Sequence, residues 1–88
     1  MTRRVTFFPK ALSDLMTWQE EDSKMIGRIL RLIEEARRDP FKGIGKPEPL
    51  KGNLKGKWSR RITDEHRLVY SVTDDELLII SLRGHYTD

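Results

Sequence analysis

The sequence predicts an α+β domain, with two N-terminal helices packed on one face of a mainly antiparallel four-stranded sheet. Three observations carry that expectation. Between residues 9 and 36 the apolar side chains recur at helical spacing, and from residue 58 onward the period changes to two. The 88 residues suffice for one domain near the small end of what folds alone, read as a single unit over 1–88. Strand, two helices and three further strands, in that order, pack most simply as one helical layer on one sheet.

The elements follow in turn. Val5-Thr6-Phe7-Phe8 reads as a short first strand, and Pro9 suits the first turn of a helix. Leu12, Leu15, Met16 and Gln19 follow helical spacing, with Trp18 beside Leu15. The pattern breaks at Glu20-Glu21-Asp22-Ser23, where Asp22 or Ser23 is positioned to cap a second helix. There Ile26, Ile29, Leu30 and Ile33 form the core stripe, widened by Met25, Leu32 and Ala36. Asp39-Pro40 stops it. Residues 40–57 hold three prolines and four glycines and read as a long ordered loop, a length that in so small a domain is usually functional or disordered. Trp58, Arg60 and Ile62 then alternate with Ser59 and Arg61. Thr63-Asp64-Glu65 is a turn, and His66 to Val72 a strand with Leu68, Tyr70 and Val72 on one side. A second acidic turn at 73–76 leads to the apolar run from Leu77 to Leu82, a central strand.

Composition excludes several classes. With no cysteine, neither a disulfide framework nor a Cys-ligated zinc holds the fold, and the chain suits a reducing cytoplasm. The apolar run after Met1 ends at Pro9 and Lys10, so no signal peptide is visible, and nothing approaches the roughly 20 apolar residues of a membrane span. Cytoplasmic localisation is the expectation. Net charge is +3, but residues 37–67 carry ten basic and four acidic side chains, a local surplus of six. A phosphate backbone rewards such a cluster through counterion release; a solvated Lys/Arg-rich loop would look the same.

Cutting RNA without a metal needs a base for the 2′-hydroxyl, a cation for the phosphoryl oxygens and an acid for the departing 5′-oxygen. Glu48 in the proline-framed loop, Arg67 at a strand start and His85 near the C-terminus supply these types. Each has a structural alternative: a solvated loop carboxylate, an ion pair with Asp64 or Glu65, an exposed tail histidine. His66 opens a strand, where a structural hydrogen bond is the simpler role. Trp18, Phe41, Trp58 and Tyr70 read as core or loop-anchoring aromatics, whereas Tyr86 has no obvious core partner and suits stacking beside a base. Two histidines without ligand spacing, and acids gathered in turns, form no recognisable metal site, and no phosphate-binding glycine loop is present. No cofactor is expected.

Residues 39–51, running through Pro40-Phe41, Gly45-Lys46-Pro47-Glu48-Pro49 and Leu50-Lys51, resemble the P-F-x-G-x-G-K-P-E-P-L-K signature of YoeB-type toxins. Asn53-Leu54 and Trp58-Ser59-Arg60-Arg61-Ile62 continue it, as do Glu65-His66-Arg67-Leu68-Val69-Tyr70 and the terminal His85-Tyr86; Trp18-Gln19 also fits the family's first helix. The resemblance covers nearly the whole chain. It implies a RelE-like fold in the RelE/ParE superfamily and a type II toxin that occupies the ribosomal A site and cleaves mRNA there without a metal. By it, Glu48 is the general base, Arg67 the transition-state cation and His85 the general acid. Tyr86 would position RNA, and Lys51 and Arg61 would contact phosphate. The implied partners are a YefM/Phd-type antitoxin, the ribosome and mRNA, a second copy of the chain, and operator DNA only through the antitoxin, with no membrane. Two departures stand out: Thr87 and Asp88 extend past the terminal His-Tyr, and Phe8 occupies a position where some relatives place a capping serine. The rival reading is a non-catalytic toxin of the same superfamily, such as a gyrase poison, which would not need Glu48, Arg67 and His85 together.

Overall fold

A computed structural model describes residues 3–85. Strand β1 (Arg4–Phe7) leads into helix α1 (Pro9–Glu21), followed by α2 (Met25–Arg38). Strands β2 (Glu48–Pro49), β3 (Trp58–Arg61), β4 (Arg67–Val72) and β5 (Glu76–Ser81) complete the fold, with a 3-10 turn at Gly52–Leu54. The α+β class and the two-helix layer are as expected. The four-stranded count is corrected: the sheet has five strands in the order β1-β5-β4-β3-β2. The added strand is β2, two residues including a proline, too short to show any alternation. It pairs antiparallel with β3, and β1 pairs parallel with β5, so the sheet is mixed.

Pro9 opens α1 as expected, with Phe8 as an N-cap that makes no side-chain hydrogen bond. Strand and helix join without slack because the Phe8 N–H donates to the Ile79 carbonyl. The buried stripe of α1 is Ala11, Asp14 and Trp18, with Leu15 half-buried, whereas Leu12 and Met16 are 51% and 60% exposed. The reason is polar. The Asp14 carboxylate accepts the N–H groups of Leu82 and Arg83, and the Trp18 indole donates to the Leu82 carbonyl. These bonds fix the helix rotation that turns Asp14 inward and Leu12 and Met16 outward.

In α2, Ile29, Leu32, Ile33 and Ala36 face the core as the spacing predicts, but Leu30 is 50% exposed. Neither Asp22 nor Ser23 caps the helix through its side chain. Lys24 is the N-cap, and the carbonyls of Asp22 and Ser23 accept the N–H groups of Met25 and Ile26. Opposite these helices stand Ile62, Leu68, Tyr70, Leu77, Ile79 and Leu82, which close the core. Both turns flanking β4 are built alike: Thr63 accepts from the N–H groups of Glu65 and His66, and Thr73 from those of Asp75 and Glu76. Among the described residues no helix is long and apolar enough to cross a membrane.

Candidate active site

The proline- and glycine-rich loop is held from below by Arg60. This side chain is fully buried on the core face of β3. Its guanidinium donates to the carbonyls of Asp39, Lys42 and Ile44 and, through Nε, to the Tyr70 hydroxyl. Tyr70 in turn donates to the Pro40 carbonyl. A buried cation is tolerable only with such a full set of acceptors. The bends it requires fall on Gly43 and Gly45, both at positive φ; a Cβ on Gly45 would lie 2.7 Å from Leu32 Cδ2. Lys46 is also left-handed, at φ 52°, and the chain then enters β2 with Glu48 exposed at the sheet edge.

Register decides which side chains share a face, since directly paired residues point the same way and neighbours along a strand alternate. Glu48 pairs with Ser59, Ser59 with Val69, and Arg61 with Arg67. Leu68 and Tyr70 belong to the core, so Glu48, Arg61 and Arg67 lie on the sheet face turned away from the helices. Two strand steps, roughly 10 Å of backbone, separate Glu48 from Val69, and Arg67 lies two residues from Val69 along β4 on the same face.

Arg67 is only 7% exposed. Its Nη1 donates to the carbonyls of Thr63, Asp64 and His66, so the preceding turn, not the carboxylate of Asp64 or Glu65, aims the side chain. Among the described residues Arg67 has no ion pair. Its backbone N–H donates to the Gly84 carbonyl, which brings the segment carrying His85 alongside the start of β4. That segment, 82–84, is gripped by side chains: Asp14 and Trp18 hold Leu82, Asp14 also holds Arg83, and His66 Nδ1 accepts the Gly84 N–H at 3.0 Å. His85 follows and is exposed.

The expected site residues thus divide. Glu48, Arg61 and Arg67 share a face, and His85 adjoins Arg67 through Gly84. Lys51 is exposed in the loop beyond β2. Tyr86 lies outside the described residues, as do Thr87 and Asp88. Sequence reasoning misses Arg60 and Asp14 as supports of the site. A signal for Arg60 is present: two successive arginines on an alternating strand must send one inward, and a glycine- and proline-rich loop supplies carbonyls to meet it.

The two-helix layer on a five-stranded mixed sheet is the fold of RelE-like toxins. A family model described as "YoeB-like toxin of bacterial type II toxin-antitoxin system" matches residues 7–86. The chain belongs to that family. It is 58% identical over 83 residues to Toxin YoeB of Streptomyces coelicolor, covering 94% of this chain and 99% of that one. It is similar in structure to the YoeB dimer of Staphylococcus aureus, with a TM-score of 0.89 and 45% identity over 98% of this chain and 100% of that one. The YoeB-YefM complex of the same organism aligns with a TM-score of 0.85 and 44% identity, again covering 98% and 100%.

Proposed function

We propose that the chain is a ribosome-dependent endoribonuclease toxin that cleaves mRNA in the A site by metal-independent acid–base chemistry. The carrying observation is the common sheet face of Glu48, Arg61 and Arg67, joined to His85 by the bond from Arg67 N–H to the Gly84 carbonyl. The Glu48 carboxylate takes the proton of the 2′-hydroxyl, and the 2′-oxygen attacks the adjacent phosphorus. The Nε–Nη2 edge of Arg67 is assigned to the phosphoryl oxygens, whose charge grows in the transition state. As the bond from phosphorus to the 5′-oxygen breaks, protonated His85 gives its proton to that oxygen. The products are a 2′,3′-cyclic phosphate and a 5′-hydroxyl. Tyr86, Lys51 and Arg61 position the strand. By its family, the chain has a YefM-type antitoxin as partner and pairs with a second copy, as the Staphylococcus aureus relatives do.

The test is cleavage of a defined mRNA with and without ribosomes. The reading expects cuts in the A-site codon that depend on ribosomes and leave a 2′,3′-cyclic phosphate and a 5′-hydroxyl. No cleavage in either arm, with translation still inhibited, would replace it with a non-catalytic toxin.

A further inference from the structure

His66 stands outside the proposed chemistry, yet it holds a main-chain group one residue from the general acid. Its Nδ1 accepts the Gly84 N–H at 3.0 Å, while its own carbonyl accepts the N–H groups of Ile62 and Thr63. The ring is half-buried and meets the Trp18 ring edge-on, with centroids 5.2 Å apart. Trp18 is itself fixed by its bond to the Leu82 carbonyl and lies under the Arg83 guanidinium. The imidazole is therefore braced on two sides.

Past Ser81 the chain leaves the sheet, so residues 82–84 no longer have a strand ladder to satisfy them. Gly84 has φ +107°, a conformation that glycine adopts without strain, and the direction of the chain there is held by hydrogen bonds. Two of these fix it: its carbonyl to Arg67 N–H and its N–H to His66 Nδ1. An Nδ1 that accepts must carry its proton elsewhere, so the ring is a neutral imidazole protonated at Nε2.

We propose that His66 is a positioning residue, whose neutral imidazole clamps the Gly84 peptide and so sets where His85 presents its proton. This rests on the ribonuclease reading for its effect on rate, but not for the clamp itself. The two histidines then have separate tasks, one transferring a proton and the other holding the chain that carries it. Displacing a reacting group by about 1 Å costs on the order of 10²-fold in rate.

The experiment compares His66→Asn with His66→Gln in the full chain. The Asn carbonyl oxygen falls near the Nδ1 position and keeps an acceptor for Gly84, whereas Gln carries its amide one bond further out. Amide exchange at Gly84, ¹⁵N shifts of the wild-type His66 ring, ribosome binding and single-turnover cleavage are measured together, with His85→Ala alongside. The proposal expects wild-type His66 as the Nε2–H tautomer and Gly84 protected in wild type and H66N but not in H66Q. It expects cleavage by H66Q to fall by about 10- to 100-fold with binding unchanged, and H66N to recover most of that loss. A wild-type ring protonated at Nδ1, or unaltered cleavage in a folded H66Q with an unprotected Gly84, would overturn it. Should wild type itself fail to cut ribosome-bound mRNA, the ribonuclease reading and the catalytic effect of His66 fall together, and the tautomer and exchange data still decide whether the clamp exists.

Discussion

Arg60 has no part in the proposed chemistry, and yet the loop that presents Glu48 depends on it. Its guanidinium meets three main-chain carbonyls and a phenol, so its removal leaves several buried acceptors unsatisfied at once. Arg60→Met is expected to destabilise the fold by about 3 kcal/mol or more in urea unfolding, well beyond the fraction of a kcal/mol expected for an exposed arginine. Tyr70 is the other half of this anchor. Burial pushes its phenol above the ordinary tyrosine value, and the nearby Arg60 only partly offsets that. A folded-state value above the unfolded one means the native protein holds the proton more tightly. The resulting stability is complete below the unfolded tyrosine value of about 10 and declines as pH rises beyond it. Unfolding followed from neutral to alkaline pH should show this decline in wild type and a shallower one in Tyr70→Phe.

At the scale of elements, the legible parts of the fold are those in which apolar periodicity acts alone. The spacing of Ile29, Ile33 and Ala36 marks the buried face of α2, although Leu30 of the same stripe is exposed, and the apolar runs place β4 and β5 to within a residue, because burial dominates their orientation. In helix α1 the same spacing finds Leu15 and Trp18 but also counts Leu12 and Met16, which are exposed, because Asp14, an acid within the buried stripe, is invisible to a hydrophobic pattern. The rotation set by Asp14 predicts that Leu12→Gln and Met16→Gln each change thermal stability by less than about 0.5 kcal/mol, whereas Trp18→Ala costs about 3–5 kcal/mol. Strand β2 is not legible at all. Its two residues owe their extended pairing to the Arg60 anchor and to glycines that fit closely against Leu32 and Arg60. Gly45→Ala, strained at φ +82° and crowded against Leu32, should loosen the loop, lowering both stability and the presentation of Glu48.

Across the whole molecule, eight of the ten basic side chains of residues 37–67 lie between Lys42 and Arg67, in the loop on either side of β2 and in strands β3 and β4, beside Glu48, Arg61 and Arg67; the other two, Arg37 and Arg38, end α2. A polyanion attracted to that segment meets the proposed chemistry there. Replacing Lys51 and Lys55 together with alanine should weaken ribosome binding and lower the slope of log affinity against log salt by roughly one unit for every phosphate left without its lysine. The residue types of the proposed site are candidates that the sequence offers, but their assembly is not legible in it. That depends on the register aligning Glu48 with Ser59 and Val69, and on Asp14, Trp18 and His66 holding the chain before His85. The proposed division of labour between Glu48 and His85 is tested most directly by single-turnover cleavage of ribosome-bound mRNA by His85→Ala. Because His85 is exposed and beyond β5, the variant should fold and bind ribosomes as wild type does, while its cleavage rate drops on the order of 10²–10⁴-fold. A wild-type rate in that variant would contradict the account.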